Sequence, residues 1–315
     1  MDIKKTGHTC ETSPEACAQP YLLPDTTLAL FWMGRGTAIL SSAQMTAEDL
    51  VFAVRELGEA QAAYWTLVTS LKTEQEIFQI PPTLWPNVLN TKSYTAQLDH
   101  GDFNMFRSFG NSLLISLGAT VISVVLAVPA SYGIAKYKFR FRKGVLLTFL
   151  VTQMLPVSVL LTPMFLMFKN MHLYNTWLSA ILADATIGIP FSVLILKNYF
   201  ASIPNEMEEA AYIDGCGKFG SFFRVLIPIA KPGIIVCAIF SFLYAWGDLA
   251  YSMTFILEQE ARPITAGIYN FMGQYGTKWS YLTAYAIVTI IPVALIFIFM
   301  QKYIISGMTS GAVKG

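Results

Sequence analysis

Residues 108–135 read Ser-Phe-Gly-Asn-Ser-Leu-Leu-Ile-Ser-Leu-Gly-Ala-Thr-Val-Ile-Ser-Val-Val-Leu-Ala-Val-Pro-Ala-Ser-Tyr-Gly-Ile-Ala, without one charged side chain. A helix needs about 20 mostly apolar residues to cross the hydrocarbon layer of a bilayer, and this stretch exceeds that. Further stretches of the same kind come later in the chain. Residues 144–168 and 279–301 carry no charge, 173–196 carries only Asp184, and 233–257 carries only Asp248. Each contains Gly or Pro (Pro129, Pro156, Pro163, Pro190, Gly247, Pro292). Spanning helices tolerate these because neighbouring helices and waters satisfy the freed backbone groups. The sequence therefore predicts an all-α polytopic membrane protein with five spans, and a sixth left open before them.

The whole-chain numbers agree. Of 315 residues 54% are hydrophobic and 13% charged, against about 25% charged in a typical soluble domain. The mean hydropathy is +0.51. A net charge of +1 gives no reason to expect nucleic acid. The four cysteines (Cys10, Cys17, Cys216, Cys237) have neither metal-type spacing nor the density of a disulfide framework. A Cys10–Cys17 bridge requires the N-terminus to lie outside.

Basic residues set the orientation. Lys136, Lys138, Arg140, Arg142 and Lys143 fall between the first two spans with no acid among them, so that loop is expected in the cytoplasm. Alternation then places 197–232 and the tail 304–315 inside, and 64–107 and 258–278 outside. Residues 108–303 form the transmembrane domain. Residues 1–63 do not fit. The segment 21–40 holds Pro24, Asp25 and Arg35, and 46–61 holds Glu48, Asp49, Arg55, Glu56 and Glu59. A charge at mid-membrane costs about 3 kcal/mol. The second segment reads as a surface helix capped by Thr46. The first twenty residues lack the apolar core of a secretory signal. The expectation for 1–63 is an atypical segment from a truncated or frame-altered start.

The inside loop 197–232 carries Asn205-Glu206-Met207-Glu208-Glu209-Ala210-Ala211-Tyr212-Ile213-Asp214-Gly215. Asn205 can cap a helix with Glu208 at the third position. Glutamates suit the positive helix end, and Gly215 suits a left-handed stop. A helix of about ten residues is unstable alone and needs a surface to pack on. From the residues alone, a helix lying on the lipid surface is an equal alternative. Phe219, Phe222 and Phe223 come next, with Pro228 and Pro232 expected to return the chain to the membrane.

The order Glu209-Ala210-Ala211, Asp214-Gly215, Phe222, Ile227-Pro228 and Pro232 closely resembles the EAA signature of permease subunits of ATP-binding cassette (ABC) importers. The ending Gly307-Met308-Thr309-Ser310-Gly311-Ala312-Val313-Lys314-Gly315 is similar to tails of the carbohydrate branch, of the maltose-type second permease. The likeness extends over 64–315. It implies the ABC importer transmembrane domain, half of a translocation pathway for a sugar, expected to be a di- or oligosaccharide. It implies a second permease subunit, two ATPase subunits that use ATP and Mg, and an extracytoplasmic sugar-binding protein, all at the cell inner membrane. It assigns ATPase coupling to Glu208, Glu209, Ala210, Ala211, Asp214 and Gly215, with Glu209 paired to a basic ATPase residue. It assigns an ATPase contact to a flexible tail through Gly307, Thr309, Gly311 and Lys314.

Other residues carry weaker signals. Trp246 could stack on a sugar and Asp248 line the path, and Gln274 and Tyr275 could touch the binding protein. Helix packing is the competing role for Asp248. Asp184 is read as reaching the membrane interface. No phosphate-cradling Gly-x-x-x-x-Gly-Lys-[Ser/Thr] loop occurs, so the chain is not expected to hydrolyse ATP or to bind a cofactor or metal itself. His8, His100 and His172 are scattered. A stand-alone secondary transporter or channel would call for paired ionisable residues or repeats within the membrane, and neither is visible.

Overall fold

The computed structural model describes residues 61–97, 104–273 and 276–312, with 273 and 300–312 as backbone only. Residues Trp65–Gly315 form one compact unit, to which the elements below belong. The expectations for 21–40, for a surface helix at 46–61 and for a Cys10–Cys17 bridge lie outside the described residues, Gln61 excepted.

Helices long and apolar enough to cross a membrane cover Met105–Lys136, Trp177–Ser202, Lys218–Gly247 and Trp279–Phe299. The bent pair Arg142–Met154 and Val157–Asn170 makes a fifth if counted as one span. We number these first to fifth in chain order, the bent pair being second. The first span starts before the uncharged stretch does. Asn104 caps it by accepting from the backbone N–H groups of Phe106 (2.9 Å) and Arg107 (3.3 Å).

Two expectations about spans are corrected. The stretch 144–168 is not one straight helix, because the pair bends by 103° at the break. Leu155 and Pro156 are both extended there. Pro156 lacks the N–H that a continuing helix needs and forces the residue before it out of helical geometry. The fourth span is not 233–257. It begins at Lys218, passes through one wide turn at Phe222–Leu226 just before Pro228, and ends at Gly247. Pro228 and Pro232 lie within this helix rather than in a returning loop. The loop expected over 197–232 therefore shrinks to the residues between Ser202 and Lys218.

The first span turns small polar residues inward and large apolar ones outward. Ser112, Ser116, Ser123 and Ser131 are buried while Leu117, Val121 and Val125 are exposed. Without water to drive helices together in lipid, close approach of small residues is what holds them. Gly188 of the third span shows how close. A Cβ there would stand 2.5 Å from the Ser123 hydroxyl and 3.2 Å from that of Ser241. At Gly233 of the fourth span a Cβ would meet the Tyr199 ring at 2.7 Å. First, third and fourth spans thus pack almost backbone to backbone.

The segment before the first span folds into a small cap of short helices, Glu74–Ile77 and Lys92–Thr95. Glu76 is its centre. The Thr83 hydroxyl (2.9 Å) and the Asn87 N–H (2.8 Å) both donate to Glu76 Oε1. These bonds, with the Asn87 contact largest, hold the carboxyl below the ordinary carboxylate range. The cap is tied to the fifth span. Ser280 donates through its N–H (2.9 Å) and hydroxyl (2.7 Å) to Glu74, and Gln97 donates to the Tyr281 carbonyl (2.9 Å).

The fifth span continues as helix to Ala312, so the described part of the tail expected over 304–315 is helical.

Candidate coupling site

The helix Asn205–Ile213 stands between the third and fourth spans at the Lys136 end of the bundle. Its start differs from the expected capping box. Pro204 occupies the cap position with no side-chain cap bond, and Asn205 is the first helical residue. The Asn205 side-chain oxygen is engaged elsewhere, accepting from Lys136 Nζ at 2.8 Å. The stop is as the sequence implies. Gly215 has φ +81, its N–H donates to the Tyr212 carbonyl (3.1 Å), and the Cys216 N–H donates to that of Ala211 (2.9 Å). This satisfies the last carbonyls of the helix in the manner of a left-handed cap.

The motif residues divide between two faces. Ala211 is buried against the bundle. Glu208, three residues earlier and so on the same face, turns inward too. Its Oε1 accepts from the Tyr132 hydroxyl of the first span and from the Tyr212 hydroxyl, each at 2.6 Å. The bond to Glu208 is the largest cause pushing the Tyr212 hydroxyl up to about 12, so Tyr212 stays a donor at neutral pH. Glu208, one of the residues expected to couple to the ATPase, thus faces the first span. Glu206, Glu209, Ala210 and Asp214 are exposed, and Ile213 is 86% exposed. Phe219, at the start of the fourth span, is 82% exposed. The helix thus presents acid and apolar groups together on a bare outer face, while its inner face is fixed.

The other candidate residues fall elsewhere. Trp246 is buried, stacks on Phe242 at 5.7 Å, meets Phe109 edge-on at 5.4 Å, and donates its indole N–H to the Thr289 carbonyl at 3.2 Å. A ring so enclosed has no free face for a sugar. Asp248 ends the fourth span, and its two oxygens accept from the backbone N–H groups of Tyr251 (3.2 Å) and Ser252 (2.9 Å), starting the short helix Ala250–Phe255. Trp246 is packed within the bundle, while Asp248 is half-buried and caps the short helix that follows the span. Asp184 is 2% exposed and lies about two turns into the third span from its Trp177 end.

Residues Met272–Gly273 and Gly276–Thr277 form a small antiparallel hairpin. Gln274 and Tyr275, between the two strands in sequence, lie outside the described residues, as does Lys314. Gly307, Thr309 and Gly311 are helical, described as backbone only.

Comparison with known proteins places this arrangement. Residues 105–310 match the family described as the binding-protein-dependent transport system inner membrane component. The sulfoquinovosyl glycerol transport system permease protein SmoH of Agrobacterium fabrum is 31% identical, over 80% of this chain and 88% of its own. The trehalose transport system permease protein SugB of Mycobacterium tuberculosis is 31% identical, over 82% of this chain and all of its own. The diacetylchitobiose uptake system permease protein DasC of Streptomyces coelicolor is 28% identical, over 82% and 93%. The fold matches a chain from the crystal structure of a bacterial ABC transporter that imports the acidic polysaccharide alginate. The TM-score is 0.69 at 20% identity, covering 83% of this chain and 99% of that one. The chain belongs to the family of binding-protein-dependent transport system inner membrane components. It is a multi-pass permease with the ABC importer transmembrane fold.

Proposed function

We propose that this chain forms half of the translocation pathway of a sugar importer and is driven through the helix Asn205–Ile213 by a separate ATPase subunit. The observation that carries this is the two-faced helix. Its inner face is fixed to the spans through Ala211 and Glu208, and its outer face is bare, with Glu209 beside Ile213. A short helix anchored on one side and apolar on the other is suited to seat in a cleft of a second protein. Glu209 supplies a charge that gains strength once water is excluded around it. Rigid-body motion of such a helix is one way to switch a pathway between two openings.

Names of relatives support the substrate class: sulfoquinovosyl glycerol, trehalose and diacetylchitobiose are all sugars or glycosides. We take the substrate to be a di- or oligosaccharide. A second permease completes the pathway, and an extracytoplasmic binding protein delivers the sugar, with Gln274 and Tyr275 as one contact. The helical C-terminus, with Gly307, Thr309 and Gly311 followed by Lys314, reaches the ATPase side. ATP and Mg are used by the partner subunits, and the C-terminus is cytoplasmic.

The test is co-purification with the importer's ATPase subunit. Ile213→Asp puts a charge on the apolar outer face, and Glu209→Lys reverses the acid. Each is expected to reduce recovery of the ATPase about tenfold or more, as loss of a desolvated contact does, with the spans still folded. Undiminished recovery in both variants overturns the proposal.

A further inference from the structure

Tyr132 sits where the ends of three spans meet. Its ring belongs to the first span and lies 5.8 Å from Phe200 of the third and 4.8 Å from Phe222 of the fourth. The ring is 9% exposed, yet its hydroxyl leaves this junction and donates to Glu208 of the short helix at 2.6 Å. One turn further along the same face of the first span, Lys136 Nζ donates to the Ile203 carbonyl and to the Asn205 side chain, each at 2.8 Å. Each of these bonds thus has one charged member, the Glu208 carboxylate or the Lys136 ammonium, and such bonds are stronger than neutral ones. The chain connections are weaker. On one side the helix is joined to the fourth span through Gly215 and Gly217, on the other to the third span through the extended Ile203 and Pro204. Glycines absorb backbone rotation readily, so a push on the helix could be dissipated there. The first span is not adjacent to the helix in the chain and can be moved by it only through side chains.

We propose that Tyr132 and Lys136 form a latch, with Glu208 and Asn205 as its keepers, that carries displacement of the helix Asn205–Ile213 into the first span. They are positioning residues: none touches nucleotide or sugar. The inference rests on the coupling function proposed for this helix, and adds to it the path by which motion reaches a span that the loop does not adjoin. Tyr212 donates to the same Glu208 oxygen, but from within the short helix, so it forms no part of the latch.

The experiment uses the complete complex with its second permease and ATPase subunits. A single cysteine replaces Phe106, an exposed residue at the end of the first span remote from Lys136, in a chain whose own cysteines are serine. Maleimide labelling is timed with and without ATP and vanadate, and ATPase recovery is measured in parallel. In the otherwise unaltered chain nucleotide is expected to change the labelling rate. Tyr132→Phe removes only the hydroxyl, and Lys136→Met removes the second arm without touching the aromatic junction. Each is expected to retain the ATPase while the nucleotide-induced change shrinks about tenfold, the scale of one lost charge-assisted bond. Tyr212→Phe is expected to leave it intact. The latch is overturned if Tyr132→Phe and Lys136→Met respond as fully as the parent, or if Tyr212→Phe loses the response equally. Failure of the parent chain to hold an ATPase at all overturns the coupling function, and the latch with it. Loss of the response with the ATPase retained is the signature of the latch alone.

Discussion

Gly215 holds φ +81 with nothing within 4 Å of where a Cβ would stand. A side chain there would meet no neighbour, so its cost is one of backbone conformation, about 1–2 kcal/mol for a residue with a Cβ. Asn enters the left-handed region more easily than Ala, and β-branched Val least easily. Loss of ATPase recovery and transport is therefore expected to follow the order Gly215→Asn, then Ala, then Val. Equal losses would show that the turn conformation is not the cause. Gly188 makes the opposite case, where space rather than backbone decides. Gly188→Ala drives a methyl to 2.5 Å from the Ser123 hydroxyl, and overpacking of this kind costs about 1–3 kcal/mol. Adding Ser123→Ala removes that hydroxyl and is expected to restore much of the thermal stability. A double variant no more stable than the single would refute the contact. Gly215 was legible in the sequence because a glycine stop follows from local geometry. Gly188 was not, since its neighbours come from other helices. The inward turn of Glu208 lies between these: it shares a helix face with Ala211, a spacing visible in the sequence, but its partner Tyr132 is distant in the chain.

At the scale of elements, hydropathy located every span among the described residues but misjudged how the second and fourth are built. The fourth begins with Lys218, Arg224 and Lys231 among apolar residues. An apolar-run criterion starts only after such charges, although the helix itself continues through them. The second carries no charge from 144 to 168, so composition could not show that Pro156 folds it into two legs. The cap offers a test in solution. Glu76 titrates below its ordinary value of 4.5, so its contribution to stability is full above that value and is lost as pH falls through the lower, folded value. Hydrogen exchange at 73–90 is therefore expected to be slow at pH 7 and to accelerate, after correction for intrinsic rates, on acidification below about 4. Glu76→Gln is expected to exchange faster at pH 7 and to lose that acid dependence. An unchanged profile in the variant would show that Glu76 does not organise the cap.

At the scale of the whole molecule, a compact bundle of close-packed spans carries one short helix fixed on its inner face and bare on its outer face. Family membership follows from the match over 105–310. The coupling function proposed above requires this bare face to point into the cytoplasm. In a chain whose own cysteines are serine, Glu209→Cys can be labelled by a membrane-impermeant maleimide. A bifunctional version of the reagent can then be tested for bridging to the ATPase subunit. The account predicts no labelling in intact cells, rapid labelling in inside-out vesicles, and a cross-linked product with the ATPase in the assembled complex. Labelling of Glu209→Cys from the outside of intact cells would contradict it.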